Sequence, residues 1–82
     1  MIELVLYSKR DCELCREMEE VLAAELPDVG VTLERIEIDG NSELETRFGI
    51  EVPVLFVNGR KAFKYRVGRR ELRRRLAKEA CG

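Results

Sequence analysis

Apolar and polar positions alternate from the first residues: Ile2, Leu4 and Leu6 share one parity, with Glu3 and Val5 between them. A period of two is that of a strand, and its run of apolar residues makes it a mostly buried one. The period then changes. Leu14, Met18, Val21 and Leu22 fall at i, i+4, i+7 and i+8, an apolar stripe on a helix expected from about Cys12 to Leu26, with Pro27 and Gly30 as its stop. Asp11 precedes it as the expected N-cap, offering its carboxylate to the amides of Glu13 and Leu14. Val31 to Asp39 is expected to form a second strand with Ile36 and Ile38 facing inward. Its alternation slips between Leu33 and Ile36, which leaves the facing of its first residues open.

Ser42 and Glu45 have the spacing of a capping box, Leu44 and Phe48 lie one turn apart, and Gly49 stands at the C-cap of a short second helix. Val52 to Val57 is an apolar strand with Pro53 at its entrance, and Asn58-Gly59 is a two-residue hairpin turn into Arg60 to Val67. Gly68 opens a last helix. There Leu72, Leu76, Ala77 and Ala80 form a narrow apolar stripe and Arg69, Arg70, Arg73, Arg74 and Lys78 are solvated. The order is βαβαββα. Strand–helix alternation at the front predicts parallel pairing and the hairpin at the back predicts antiparallel pairing. The expectation is an α/β fold, a four-stranded mixed sheet flanked by three helices, in one domain over residues 1–80 with 81–82 as a short tail.

At 82 residues the chain buries only roughly 60–65% of the surface exposed when unfolded, too little for a large substrate cavity. Hydrophobic residues make up 45% and charged residues 38% of it, which excludes a disordered chain. No apolar run is as long as a membrane span and no signal-peptide pattern opens the sequence, so a cytoplasmic protein that makes no membrane contact is expected. The net charge of −1 conceals a division: residues 1–59 carry 5 basic and 14 acidic residues, residues 60–82 carry 10 and 2. A basic end on an acidic body steers charged partners. Nucleic acid is not the expected partner of the arginine-rich helix, because no aromatic platform or recognition motif accompanies it.

Chemistry centres on Cys12-Glu13-Leu14-Cys15, at the strand-to-helix junction. A helix N-terminus offers unpaired N–H groups and partial positive charge, which favour thiolate over thiol. Lys9, Arg10 and Arg16 favour it too, while Asp11, Glu13 and Glu17 oppose it, so the helix terminus supplies most of the effect. Cys12, at the exposed start, is the candidate nucleophile; Cys15, one turn in, is the resolving partner. Three cysteines do not make a disulfide scaffold. Zinc needs four ligands, and a chain without histidine, whose only other cysteine is Cys81, supplies no metal site by itself.

The element order, the cysteine pair after the first strand and the run Arg47-Phe48-Gly49-Ile50-Glu51-Val52-Pro53 resemble the thioredoxin-like fold and, at this length, the glutaredoxin family. The resemblance covers nearly the whole chain. It implies a cis Val52–Pro53 bond beside the cysteines, with the Val52 backbone available to an extended peptide or to glutathione. It also implies that Lys9 meets a glutathione carboxylate. Glu13 and Leu14 replace the family's proline and aromatic between the cysteines, and Val67-Gly68-Arg69-Arg70-Glu71 replaces its Gly-Gly-x-Asp segment. The implied activity is a monomeric dithiol oxidoreductase with no bound cofactor, and with glutathione as a possible co-substrate. It would reduce protein disulfides or glutathione mixed disulfides and be recharged by glutathione or a thioredoxin-type system. Two other classes stand beside it: an iron–sulfur carrier pooling the cysteines of two chains, and a redox-inert adaptor binding through its basic helix.

Overall fold

Seven elements follow one another among the described residues: β1 (Ile2–Ser8), α1 (Glu13–Glu25), β2 (Val31–Glu37), α2 (Ser42–Phe48), β3 (Val54–Val57), β4 (Arg60–Lys64) and α3 (Arg69–Cys81). The structure, a computed structural model, describes residues 1–26 and 30–81; Pro27, Gly82 and the Cys81 side chain lie outside it. The strands form one mixed sheet in the order β2-β1-β3-β4. β1 runs parallel to β2, with Ile2 opposite Val31, and antiparallel to β3, with Leu6 opposite Leu55. The β3–β4 hairpin turns on Asn58 and Gly59, at φ 49° and 81°, the pair of left-handed residues a type I′ turn requires. Asn58 also ties the hairpin to β1: its N–H donates to the Glu3 carbonyl at 2.7 Å, and its Oδ1 accepts the Glu3 N–H at 2.9 Å.

The two faces of the sheet are covered unequally. Ile2, Leu4, Leu6, Leu55 and Val57 pack against Met18 and Leu22 of α1 and Leu72 and Leu76 of α3, the main core. A smaller cluster joins Ile38, Val52, Val54 and Cys15 to Phe48, the buried residue of α2. Beside it the Tyr7 ring stacks on Phe48 with centroids 4.5 Å apart, and Phe56 meets both rings edge-on. This division explains the slip in β2. Val31 and Leu33 pack on the main core, while Ile36 lies opposite Tyr7 and Ile38 joins the small cluster, so one strand serves both faces in turn. Ile38 is buried as expected; Ile36 is only half-buried, because β2 is an edge strand.

Both helix starts differ from expectation by one residue. Cys12, not Asp11, is the N-cap of α1, and Asn41, not Ser42, is that of α2, its Oδ1 accepting the Leu44 N–H at 3.1 Å. Gly49 occupies the expected C-cap of α2 in a right-handed conformation (φ −53°). A side chain there would run its Cβ into the Glu45 carbonyl, so the glycine serves close approach rather than positive φ. β3 begins at Val54, after the proline, and β4 ends at Lys64. On α3, Leu72 and Leu76 are buried, but Ala77 and Ala80 are exposed and take no part in the stripe. α3 is fastened to α1 by Glu25, whose side chain is only 6% exposed and accepts from the guanidinium groups of both Arg69 and Arg73, the latter at 2.6 Å.

Candidate active site

β1 ends at Ser8, and four residues carry the chain to α1. Asp39 holds this turn by accepting the Arg10 N–H at 2.9 Å, and Asp11 sits in the left-handed region at φ 54°. An aspartate tolerates that conformation better than most residues. It therefore forms the turn instead of the cap, and the cap position passes to Cys12. The Cys12 Sγ accepts the N–H of Cys15 at 3.1 Å, where a serine or aspartate oxygen usually stands at a helix start. The two cysteine Cα atoms are 5.2 Å apart and the sulfurs are bonded as a disulfide. Such a separation needs no backbone movement to be bridged.

The two sulfurs are not equivalent. Cys15 is 3% exposed, within the small cluster beside Ile38, Phe48, Val52 and Val54, whereas Cys12 is half-buried at the rim. An incoming group reaches Cys12 first. Some of the charges around the pair answer one another, Glu13 lying 3.5 Å from Arg16 and Glu17 3.8 Å from Arg66 of the β4–α3 connection, while Lys9, Arg10 and Asp11 have no ion pair among the described residues; all are exposed. Exposed pairs of this kind contribute little, so the fixed dipoles of the α1 amides are what act on Cys12.

The remaining expected site residues fall into place unevenly. Lys9 is exposed and lines, with Cys12 and Cys15, a groove of about 420 Å³ running between the start of α1 and β2. Val52 packs in the cluster with Cys15, and the Val52–Pro53 bond is cis, with Pro53 fully buried. The Val52 N–H donates to the Phe48 carbonyl at 3.0 Å, so that amide is already satisfied inside the chain. At the start of α3 the Gly68 N–H is likewise taken, by the Glu71 carboxylate at 3.0 Å. Among the described residues no three metal-ligating side chains come together. No helix among them is long and apolar enough to cross a membrane.

Two residues at the site carried no signal in the sequence. Asp39 sits 28 positions from Asp11, the turn it braces. Tyr65, expected within a strand, lies beyond β4: its N–H donates to the Pro53 carbonyl at 2.9 Å and its φ is 68°, in a tight turn closed by the Arg66 N–H on the Lys64 carbonyl. Positive φ on an aromatic residue is strained. The side chain is 41% exposed, and Ile50, two residues before Val52, is 90% exposed.

The sequence model of the glutaredoxin-like domain (DUF836) family matches residues 3–77. Among solved structures, the X-ray structure of protein XcR50 from X. campestris is similar at 33% identity and TM-score 0.78, over 92% of this chain and 96% of that one. Protein Ne2328 from Nitrosomonas europaea is similar at 32% identity and TM-score 0.71, over 87% and 86%. Thioredoxin O2 from Arabidopsis thaliana, in its oxidized state, shares the fold at 22% identity and TM-score 0.61, over 95% and 74%. No curated protein matches. A thioredoxin-like fold with a cysteine pair at disulfide distance on a helix N-terminus points to a redox function.

Proposed function

The chain belongs to the glutaredoxin-like domain (DUF836) family, and from its paired cysteines we propose a thiol–disulfide oxidoreductase that reduces disulfides through a mixed-disulfide intermediate. One observation carries this reading: the half-exposed Cys12 sulfur caps α1 while bonded to a Cys15 sulfur that solvent does not reach. In the reduced protein the Cys12 thiolate keeps the Cys15 N–H donor at the helix start, which stabilises it over the thiol. It attacks one sulfur of a substrate disulfide; a Cys12–substrate bond forms and the other substrate sulfur leaves as a thiolate that takes up a proton. Cys15 then gives up its proton and attacks Cys12, closing the observed bond and releasing the second substrate sulfur as a thiol. Two electrons and two protons pass to the substrate. A thiol donor, either two glutathione molecules or a thioredoxin-type dithiol, returns them to the protein.

Protein disulfides are the favoured substrate class. The Gly68 amide, in the segment that stands where the resemblance expects the far end of glutathione to be gripped, is occupied by Glu71. Tyr65, exposed and tied by its N–H to the Pro53 carbonyl, offers an aromatic ring beside the cis-proline for an apolar protein surface. Lys9, beside the cysteines, remains as the candidate cation for a substrate carboxylate. The protein works as a monomer in this scheme, without a bound cofactor, in a reducing compartment such as the cytoplasm.

The test is turnover of a protein disulfide with purified variants. Cys12→Ser abolishes it, and Cys15→Ser accumulates a covalent complex visible by mass spectrometry; equal residual turnover in both variants would contradict the scheme. A glutathione mixed disulfide turned over faster than the protein disulfide would reverse the substrate assignment and leave the cysteine roles standing.

A further inference from the structure

α3 carries six basic residues, and the structure sorts them. Arg69 and Arg73 are held by Glu25, and Arg75 pairs with Glu79 at 2.9 Å. Arg70, Arg74 and Lys78 are exposed and have no ion pair among the described residues. Their spacing is i, i+4, i+8, which puts three like charges in one row along the helix. Such rows cost stability when nothing answers them. Arg74 and Lys78 also line a groove of about 260 Å³ toward β4, together with Phe63, Glu71 and Arg75. The Glu71 carboxylate in that lining is engaged by the Gly68 N–H. β4 is the sheet's outer strand, with a neighbour on one side only.

We infer that this row, with the groove beside it, is a docking surface for an extended acidic segment of a protein partner. The geometry matches such a segment. Four residues of helix advance about 6 Å, and every second residue of an extended strand advances about 6.6 Å. Asp or Glu at alternate positions of a strand therefore meets Arg70, Arg74 and Lys78 in turn, within the slack of those long side chains. The half-buried Phe63 gives the intervening side chains an apolar floor, and the open edge of β4 offers backbone groups to an extended chain. Nucleic acid fits less well. A phosphate chain would continue past the row over a body that carries 14 acidic against 5 basic residues in positions 1–59.

The inference is independent of the disulfide chemistry and is tested without it. A fluorescently labelled peptide of alternating Glu and Thr is titrated with the full chain, and binding is read by anisotropy. Saturable binding that weakens with added salt is expected. The triple variant Arg70→Gln, Arg74→Gln, Lys78→Gln should bind about tenfold more weakly, the combined loss of three exposed ion pairs. Glutamine keeps helix propensity at exposed positions, and circular dichroism checks that the variant is folded. Arg70→Lys with Arg74→Lys preserves the charges and should retain most of the binding, a control that stands even if the triple variant unfolds. The Cys12→Ser, Cys15→Ser protein should bind like the parent, which separates this surface from the redox site. Unchanged affinity in the triple variant, tighter binding of an oligothymidylate of equal charge, or self-association displaced by the peptide would each overturn the proposal.

Discussion

Cys12 uses one sulfur for two tasks, capping α1 and reacting with substrate, and the two can be pulled apart by substitution. Serine is a good N-cap and a poor redox group; alanine is neither. Cys12→Ser and Cys12→Ala should both lack disulfide turnover. Under reducing conditions, however, the serine variant should be more stable in urea by about 0.5–2 kcal/mol, the usual worth of an N-cap. Equal midpoints would mean that position 12 is not a capping position. Gly49 poses the opposite test, since any Cβ meets the Glu45 carbonyl at the end of α2. Gly49→Ala is expected to cost about 1–3 kcal/mol as an overpacking change, read as a lower melting temperature. At this scale the sequence was legible wherever the deciding contact is local. The cysteine pair, the Val52-Pro53 step and the Asn58-Gly59 turn all qualified. Asp11 misled because its cap propensity is real but its φ of 54° is imposed by a turn that Asp39 closes from the far side of β2.

Between elements, the least local decision is how α3 meets α1, and Glu25 makes it. Its carboxyl is held below the usual carboxylate range, chiefly by the hydrogen bond from Arg69; partial burial opposes this, and the charges of Arg69 and Arg73 add to it. A depressed folded-state pKa means that the stabilisation is fully present above the unfolded value near 4.5 and is lost as pH falls through the folded value. The stability gap between the parent chain and Glu25→Gln should therefore be constant from pH 7 to about pH 5 and close below pH 4. Denaturant titrations at each pH measure it, and a gap independent of pH would show that the Glu25 carboxyl titrates alike in the folded and unfolded chain. Helical periodicity placed Leu72 and Leu76 inward but could not tell which arginines have partners, because Glu25 is 44 and 48 positions away from them. β2 shows the same limit. Its slipped alternation is a correct record of a strand that packs on both faces, and only the position of α2 tells where the change falls.

For the molecule as a whole, the consequential asymmetry is that the reactive pair sits on the thinner of two cores. One face is covered by two thirteen-residue helices, α1 and α3; the other is covered by the seven-residue α2, which buries Phe48 and half-buries Leu44. Local opening follows the regions with least buried apolar area. α2 and the chain from Gly49 to Pro53 should thus open before the main core, uncovering Cys15 and the Val52 backbone together, since both belong to the same cluster as Phe48. Such an opening would also break the Val52 N–H bond to the Phe48 carbonyl and release that amide for a substrate backbone. Native-state hydrogen exchange in low denaturant resolves the order. Amides of α2 and of Val52 should exchange through a small opening with weak denaturant dependence, while those of Leu6, Leu22 and Leu55 should exchange only on global unfolding. Phe48→Leu, which trims the contact with Tyr7 and Phe56, should speed exchange at Val52 and raise the rate at which an alkylating reagent reaches Cys15 in the reduced protein. If the two cores instead exchange as one unit, the Val52 amide stays closed through the catalytic cycle and substrate pairing is left to its carbonyl alone.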